Sequence, residues 1–389
     1  MVASRLSGIP PTVFGEMSAL AMRTGAINLG QGFPDVDGPS EVLDAVERAL
    51  RSGSANQYPP ARGIPALRSA IAAHQERHYG LALDPDTEVV VTTGATEAIA
   101  AALLGLVEPG DEVVVLEPFY DSYPAVLQMA GGVRRPVTLH APDFRLDVDA
   151  LRAAVTDRTR FVLLNTPHNP TGAVLTRGEL TAVADLAIEH DLVVISDEVY
   201  EHLTYGEATH VPIATLPGMR ERTLTISSIG KSFSFTGWKI GWASGPAHLV
   251  DAVNSAKQWL TFVSGGPLQP AAAYALDECD AWPRALAADL RERRDLLVDG
   301  LNRVGLSTRS PEGTYFAISD VSGLGWRDGL ELCRALPERA GVVAIPLQVF
   351  YDSTAGDQLI RWAFCKRPEV LGEALERLAG ADLRCGQRQ

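Results

Sequence analysis

Ser227-Ser228-Ile229-Gly230-Lys231-Ser232-Phe233-Ser234-Phe235-Thr236-Gly237-Trp238-Lys239-Ile240-Gly241-Trp242 is the stretch on which the reading of the whole chain turns. Thr223 to Ser227 alternates as a buried strand does, and it runs into hydroxyls, glycines and two of the chain's four lysines. Those four, Lys231, Lys239, Lys257 and Lys366, stand among 34 basic residues. A bias toward arginine explains why lysine is scarce, but not why two of the four share one loop. A lysine amine can lose its proton when desolvated or set beside another cation, and it can then condense with a carbonyl; a guanidinium stays charged. Lys231 could equally be a surface lysine beside a strand. Its neighbours argue otherwise: Ser228, Ser232, Ser234 and Thr236 are short donors, and Gly230, Gly237 and Gly241 permit the close backbone approach that holding a phosphate requires.

An amine beside a phosphate cradle suits a phosphorylated aldehyde, and pyridoxal 5'-phosphate answers that description. The composition leaves room for such an enzyme. At 389 residues the chain exceeds one typical core, which suggests two domains. With 46% hydrophobic and 21% charged residues it reads as globular. A net charge of -14, without a basic stripe, argues against a nucleic-acid face. Met1 to Pro10 does not read as a signal peptide, and no apolar run approaches the ~20 residues of a membrane span. The cysteines (Cys279, Cys333, Cys365, Cys385) form neither a disulfide framework nor a metal spacing, and no metal ligands are expected. A cytoplasmic location is the default.

Taken in order, the chain opens with a short amphipathic helix over residues 10–25, then the turn Asn28-Leu29-Gly30-Gln31-Gly32-Phe33-Pro34-Asp35. Helices are expected from Pro39 to Leu50 and from Ile64 to His78, separated by Asn56-Gln57-Tyr58-Pro59-Pro60. From Val89 the rhythm is strand, turn, helix. Thr93-Gly94-Ala95-Thr96 opens a helix whose free amides and dipole end suit a phosphate, although neither a P-loop lysine nor a dinucleotide fingerprint is present. The strand ending in Leu116 leads to Glu117-Pro118-Phe119-Tyr120-Asp121-Ser122-Tyr123, where Phe119 could be ordinary core. Asn165-Thr166-Pro167-His168-Asn169-Pro170-Thr171-Gly172 is a turn stiffened by two prolines, able to aim an asparagine amide at one oxygen. Leu192 to Ser196 is a buried strand that delivers Asp197, an acid that needs a partner there. After Trp242 the pattern turns helical, and Pro283 to Leu301 is a long helix whose arginines read as a solvated face. Arg361-Trp362-Ala363-Phe364-Cys365 reads as the last, edge strand, and its opening arginine could pair an acid or clamp an anion.

These motifs together resemble the fold-type I pyridoxal-phosphate enzymes, within the class I/II aminotransferases that act on aspartate, kynurenine, glutamine, methionine and, in actinobacteria, N-succinyldiaminopimelate. The likeness spans about residue 10 to about residue 375. It implies an aspartate aminotransferase-like α/β fold, with a large mixed-sheet α/β/α domain over 41–280 and a small α+β domain over 281–389, to which the arm 1–40 contributes. It further implies a homodimer with shared active sites, taking small amino and 2-oxo acids. By the same resemblance Lys231 is the Schiff-base lysine and proton-transfer base. Asp197 pairs with the cofactor's pyridine nitrogen, Asn169 and Tyr200 donate to its phenolic oxygen, and Phe119 stacks on its ring. Ala95, Thr96, Ser228 and Lys239 hold its phosphate, joined by Tyr58 from across the dimer, while Arg361 and the backbone at Gly32 receive the substrate carboxylate, with Asn169 beside them.

The implied reaction is a ping-pong transamination, with N-succinyl-LL-2,6-diaminopimelate and 2-oxoglutarate as the leading pair. A broad glutamine, methionine or kynurenine aminotransferase with cysteine-conjugate β-lyase activity is the alternative. The small residues Ser264 and Gly265, where kynurenine-type relatives carry bulky rings, favour the longer substrate. A noncatalytic regulator of the same fold is disfavoured by the absence of a basic helix-turn-helix module, and an NAD dehydrogenase by the missing fingerprint.

Overall fold

The structure is a computed structural model, which describes residues 3–9 and 12–385. Seven strands form its main sheet: β1 (Val89–Thr93), β2 (Glu112–Glu117), β3 (Val133–Thr138), β4 (Thr159–Asn165), β5 (Val193–Asp197), β6 (Thr223–Ser228) and β7 (Ile240–Ser244). Their order is β1-β7-β6-β5-β4-β2-β3. All neighbours run parallel except β7, which is antiparallel to both β1 and β6. This antiparallel strand begins inside the stretch read first as a loop, and its run of Ile240, Gly241, Trp242 and Ala243 is buried throughout. Because side chains alternate along a strand, Val114, Leu116, Val162, Leu164 and Val194 enter one apolar layer, while Val113, Val115, Phe161, Leu163 and Ile195 enter the other. Helices cover both faces.

Parallel strands send their carboxyl ends to one edge, and there the polar residues collect. Asn165 closes β4, Asp197 closes β5 and Ser228 closes β6, with Asn165 and Asp197 opposite one another in the register. In open α/β sheets this edge is where ligands bind. The chain leaves β6 in a single helical turn, Ile229–Ser232, which places Lys231 just beyond the sheet. Gly241 is required beside it: a Cβ there would lie 2.6 Å from the Gly94 carbonyl carbon and 2.7 Å from the Ala95 nitrogen. The helix Gly94–Leu106 is thereby drawn against β7, with Gly94 at φ +70°.

A second sheet contains β8 (Ser307–Thr308), β9 (Phe316–Asp320), β10 (Ile345–Pro346) and β11 (Leu359–Ala363), in the order β10-β11-β9-β8 and antiparallel throughout. Helices Ala281–Arg303, Gly329–Arg339 and Pro368–Ala379 belong to this part of the chain. Ile27–Asn28 pairs in parallel with Val342–Val343, which ties the N-terminal segment to it. Two expectations are corrected here. The strand carrying Arg361 is interior, and Arg361 is its middle residue, between Ile318 and Ile345. The arginines of the long helix are not all solvated either: Arg293 is buried and donates to the Lys366 carbonyl, and Arg294 lies over the Tyr205 ring. No helix among the described residues is long and apolar enough to cross a membrane.

Candidate active site

Between the carboxyl edge of the main sheet and β7 lies a cavity of about 160 Å3, lined by Ala95, Thr96, Tyr120, Asn169, Asp197, Tyr200, Ser228, Lys231 and Lys239. Eight of the ten residues expected to hold a cofactor are thus gathered on one wall, joined by Tyr120.

Lys231 donates from Nζ to the Tyr315 hydroxyl at 3.0 Å, and that hydroxyl donates in turn to the Gly32 carbonyl at 2.6 Å. Desolvation pushes the amine down to about 8, with Lys239 acting in the same direction and Asp197 against it. A base tuned toward neutrality suits proton transfer. Lys239 is the C-cap of a 3-10 turn, at φ 54°, and its Nζ lies 3.4 Å from Thr96 Oγ1. With Ser228 and the first amides of the helix Gly94–Leu106 it makes an anion-sized corner.

Asp197 accepts from the Tyr123 hydroxyl at 2.7 Å and from the Val199 N–H at 3.3 Å, donors that carry no charge. Burial raises its carboxyl to about 6, with the Tyr123 hydrogen bond opposing the rise. Relative to an unfolded carboxyl at its ordinary 3.8, the folded, cofactor-free protein therefore holds an extra proton between about pH 4 and pH 6, and its stability falls as pH rises through that window. Asp197→Asn is expected to raise the melting temperature of the cofactor-free protein at pH 7.5 by removing a buried charge that costs up to about 3 kcal/mol. It should change little at pH 4. Thermal melts of both proteins at the two pH values check this, and a less stable Asn variant at pH 7.5 would contradict it.

Arg361 is buried, with its guanidinium 4.0 Å from the Phe316 ring centroid, 5.1 Å from that of Phe14 and 5.5 Å from that of Phe350. It donates to Asn169 Oδ1 at 3.0 Å and to the Gly30 carbonyl at 2.9 Å, while its Nε is buried without a partner. Desolvation lowers it to about 10, so it stays charged at neutral pH. The Asn169 oxygen being taken by Arg361, its amide N–H groups remain free to donate. Asn165 fixes that turn by accepting from the Asn169 N–H at 2.7 Å and donating to the Asp197 carbonyl at 2.9 Å. Tyr200 lies edge-on to Tyr315, and burial pushes its hydroxyl well up. Gly32 packs where a Cβ would meet Phe316 at 2.4 Å.

Two expected site residues lie elsewhere. Phe119 packs in the apolar layer with Val113 and Val115, under Arg134, and lines the neighbouring cleft of about 720 Å3, whereas Tyr120 stands on the wall of both that cleft and the cavity. The turn at Pro118 interrupts the two-residue alternation of β2, so strand parity does not tell which of the adjacent rings faces inward. Tyr58 is 83% exposed and packs edge-on against Phe262, away from the cavity of its own chain. Sequence reasoning also missed Tyr123 and Tyr315. The first stood in a motif already quoted, and the second lies just before β9.

Residues 24–378 match the family described as aminotransferase class I and II. The chain is 55% identical, over 97% of its length and 98% of the relative's, to a protein of Mycobacterium tuberculosis described as a probable N-succinyldiaminopimelate aminotransferase. This chain is a class I and II aminotransferase. A solved structure of an M. tuberculosis N-succinyldiaminopimelate aminotransferase superposes on it with a TM-score of 0.95 at 55% identity, covering 98% of this chain and 100% of that one. The methionine aminotransferase of Escherichia coli is 41% identical over 96% of this chain and 97% of its own. Mouse kynurenine–oxoglutarate transaminase 3 is 38% identical over 96% and 89%.

Its cofactor is pyridoxal 5'-phosphate, and the donor set of this aminotransferase fits that group. The cavity offers a primary amine, a buried carboxylate whose raised affinity for protons calls for a cationic neighbour, and the anion corner of Ser228, Thr96 and Lys239. When bound, the cofactor supplies an aldehyde carbon that exchanges amino groups and a ring that delocalises the electron pair left at the substrate Cα.

Proposed function

We propose that this aminotransferase moves the amino group of N-succinyl-LL-2,6-diaminopimelate to 2-oxoglutarate. The 55% identity to the M. tuberculosis relative, sustained end to end, carries this reading. Room for a long, anionic side chain supports it. A cleft of about 720 Å3, bounded by Phe14, Tyr120 and Tyr351, shares Tyr120 with the cavity and has Arg134 and Arg334 on its walls. These cations are paired with Asp352 at 3.0 Å and Glu16 at 2.7 Å.

In this reading each site residue takes one task. Arg361 receives the substrate α-carboxylate in its planar fork, which sets the Cα–H bond within reach of Lys231. Lys231 Nζ, once free and neutral, is the base that would take the α-proton and give it back as its conjugate acid. Asp197, held by Tyr123, would keep its charge against the ring nitrogen, while Asn169 and Tyr200 would donate to the phenolic oxygen. Ala95, Thr96, Ser228 and Lys239 would hold the phosphate. Tyr120 would take the stacking position expected of Phe119.

The exposed rings of Tyr58, Trp259 and Phe262 support a homodimer in which Tyr58 reaches the other subunit's phosphate. The division into an arm, a large and a small domain is part of the same proposal, as is a cytoplasmic location. The second reading, a methionine or kynurenine aminotransferase, rests on the 41% and 38% relatives. A panel of amino donors, each monitored for loss of the holoenzyme's visible absorbance, separates the two. The succinylated diacid is expected to give the highest second-order rate, and no response to it alongside a fast response to methionine would reject the substrate assignment.

A further inference from the structure

Away from the active site, the helix Pro65–Tyr79 carries His74 and His78 four residues apart, hence on one face. His202, from the turn that follows β5, meets them there. One ligand nitrogen from each of the three rings lies within 4.8 Å of the others. His74 Nε2 and His202 Nε2 are 2.8 Å apart, so one ring donates its hydrogen to the other. Asp280, the N-cap of the helix Ala281–Arg303, brings a carboxylate oxygen to 3.4 Å from His78 Nε2 while Arg77 donates to both of its oxygens, at 2.7 and 3.0 Å. The four side chains line a cavity of about 110 Å3 with Phe233, Pro283 and Arg284.

A hydrogen-bonded histidine cluster is the ordinary explanation for such a group, but two features point further. The buried Glu201 carboxylate, which accepts from Ser227 Oγ at 2.5 Å, stands beside His74 and His202 and favours positive charge on both. Gln75, itself buried, has its amide nitrogen 3.5 Å from His74 Nδ1 and its Oε1 without any donor. An amide turned over would place that oxygen on His74 Nδ1–H, the acceptor that an Nε2-ligating histidine uses.

We infer that His74, His78 and His202 form a site for one zinc-like divalent cation, with Asp280 or a water as the fourth ligand. Zinc held at about 2.0–2.1 Å by each imidazole needs the nitrogens roughly 3.4 Å apart: the His74 and His202 nitrogens open from 2.8 Å and the His78 nitrogen moves in from within 4.8 Å, a side-chain adjustment within the present cluster. The hydrogen now shared by the two Nε2 atoms relocates to an Nδ1, and no proton has to leave the cluster. The cation fastens the helix Pro65–Tyr79 and the turn after β5 to the start of the helix leading into the second sheet. It acts on stability and not on the reaction.

The test uses untagged holoenzyme, stripped with a chelator and titrated with zinc chloride by calorimetry and thermal melting. One equivalent per chain and a rise of a few degrees in melting temperature are expected. Cobalt in place of zinc should give the intense visible bands of a four-coordinate site. His78→Gln, at the partly exposed edge of the cluster, should weaken zinc binding at least about tenfold, as loss of a ligand does. Transamination without zinc should be unchanged in that variant. Failure to take up one equivalent, or the same affinity in His78→Gln, overturns the site and leaves a hydrogen-bonded histidine cluster.

Discussion

Lys231→Ala is expected to lower kcat by at least about 10³-fold, since positioned proton transfer alone contributes about 10²–10⁴ and the same amine also tethers the cofactor. The fold should survive. Lys231 sits in one helical turn beyond β6, and among the described residues its amine hydrogen-bonds Tyr315 alone. Removing a desolvated cation does not unpair a buried acid, because Asp197 keeps the Tyr123 and Val199 donors. Lys231→Arg separates charge from chemistry: it keeps the cation beside Asp197 but neither condenses with a carbonyl nor gives up a proton. It is therefore expected to be as inactive as the alanine variant. Steady-state rates on the purified proteins, beside circular dichroism of each, check this; an arginine variant within tenfold of the parent would show that the positive charge was what mattered.

Arg361→Ala should act on a different quantity. A buried, hydrogen-bonded charge facing a carboxylate typically costs about 2–5 kcal/mol on truncation, which is roughly 30- to 5,000-fold in kcat/KM. The loss is expected mainly in KM for both the amino and the 2-oxo acid, because each presents the same α-carboxylate. Arg361→Lys should recover little, since three aromatic rings and an interior strand fix a planar fork and not a point charge. Both variants should retain cofactor, as the hydrogen bond from Arg361 toward the cofactor cavity goes to Asn169 Oδ1. If KM for the two substrates stays within threefold of the parent, the carboxylate is bound elsewhere.

The chemistry of this site was legible in the sequence where one residue type had few uses. Lysine in an arginine-rich chain, an acid at the end of an apolar strand and an asparagine locked between prolines each pointed to a task, and the structure places Lys231, Asp197 and Asn169 around one cavity. Among the main-sheet strands, β1, β2 and β5 were legible for a related reason, being apolar runs ended by glycine or polar turns. What escaped was decided by tertiary contacts. β7 hides among glycines and tryptophans because its role, closing the sheet antiparallel between β1 and β6, depends on partners 150 residues apart in part. Tyr120, and not Phe119, lines the cavity because of how the chain turns at Pro118. Tyr315 reaches Lys231 from the second sheet, a contact across 84 positions that no local pattern carries. The interior place of Arg361 follows from β10 pairing with β11, and two-residue strands leave almost no periodic trace.

The most direct test of the site is chemical. Holoenzyme reduced with borohydride and digested should yield one peptide carrying the pyridoxyl group, spanning Lys231 and modified at that residue. Modification at Lys239, Lys257 or Lys366 with Lys231 untouched would contradict the assignment of the amine on which the whole catalytic arrangement depends.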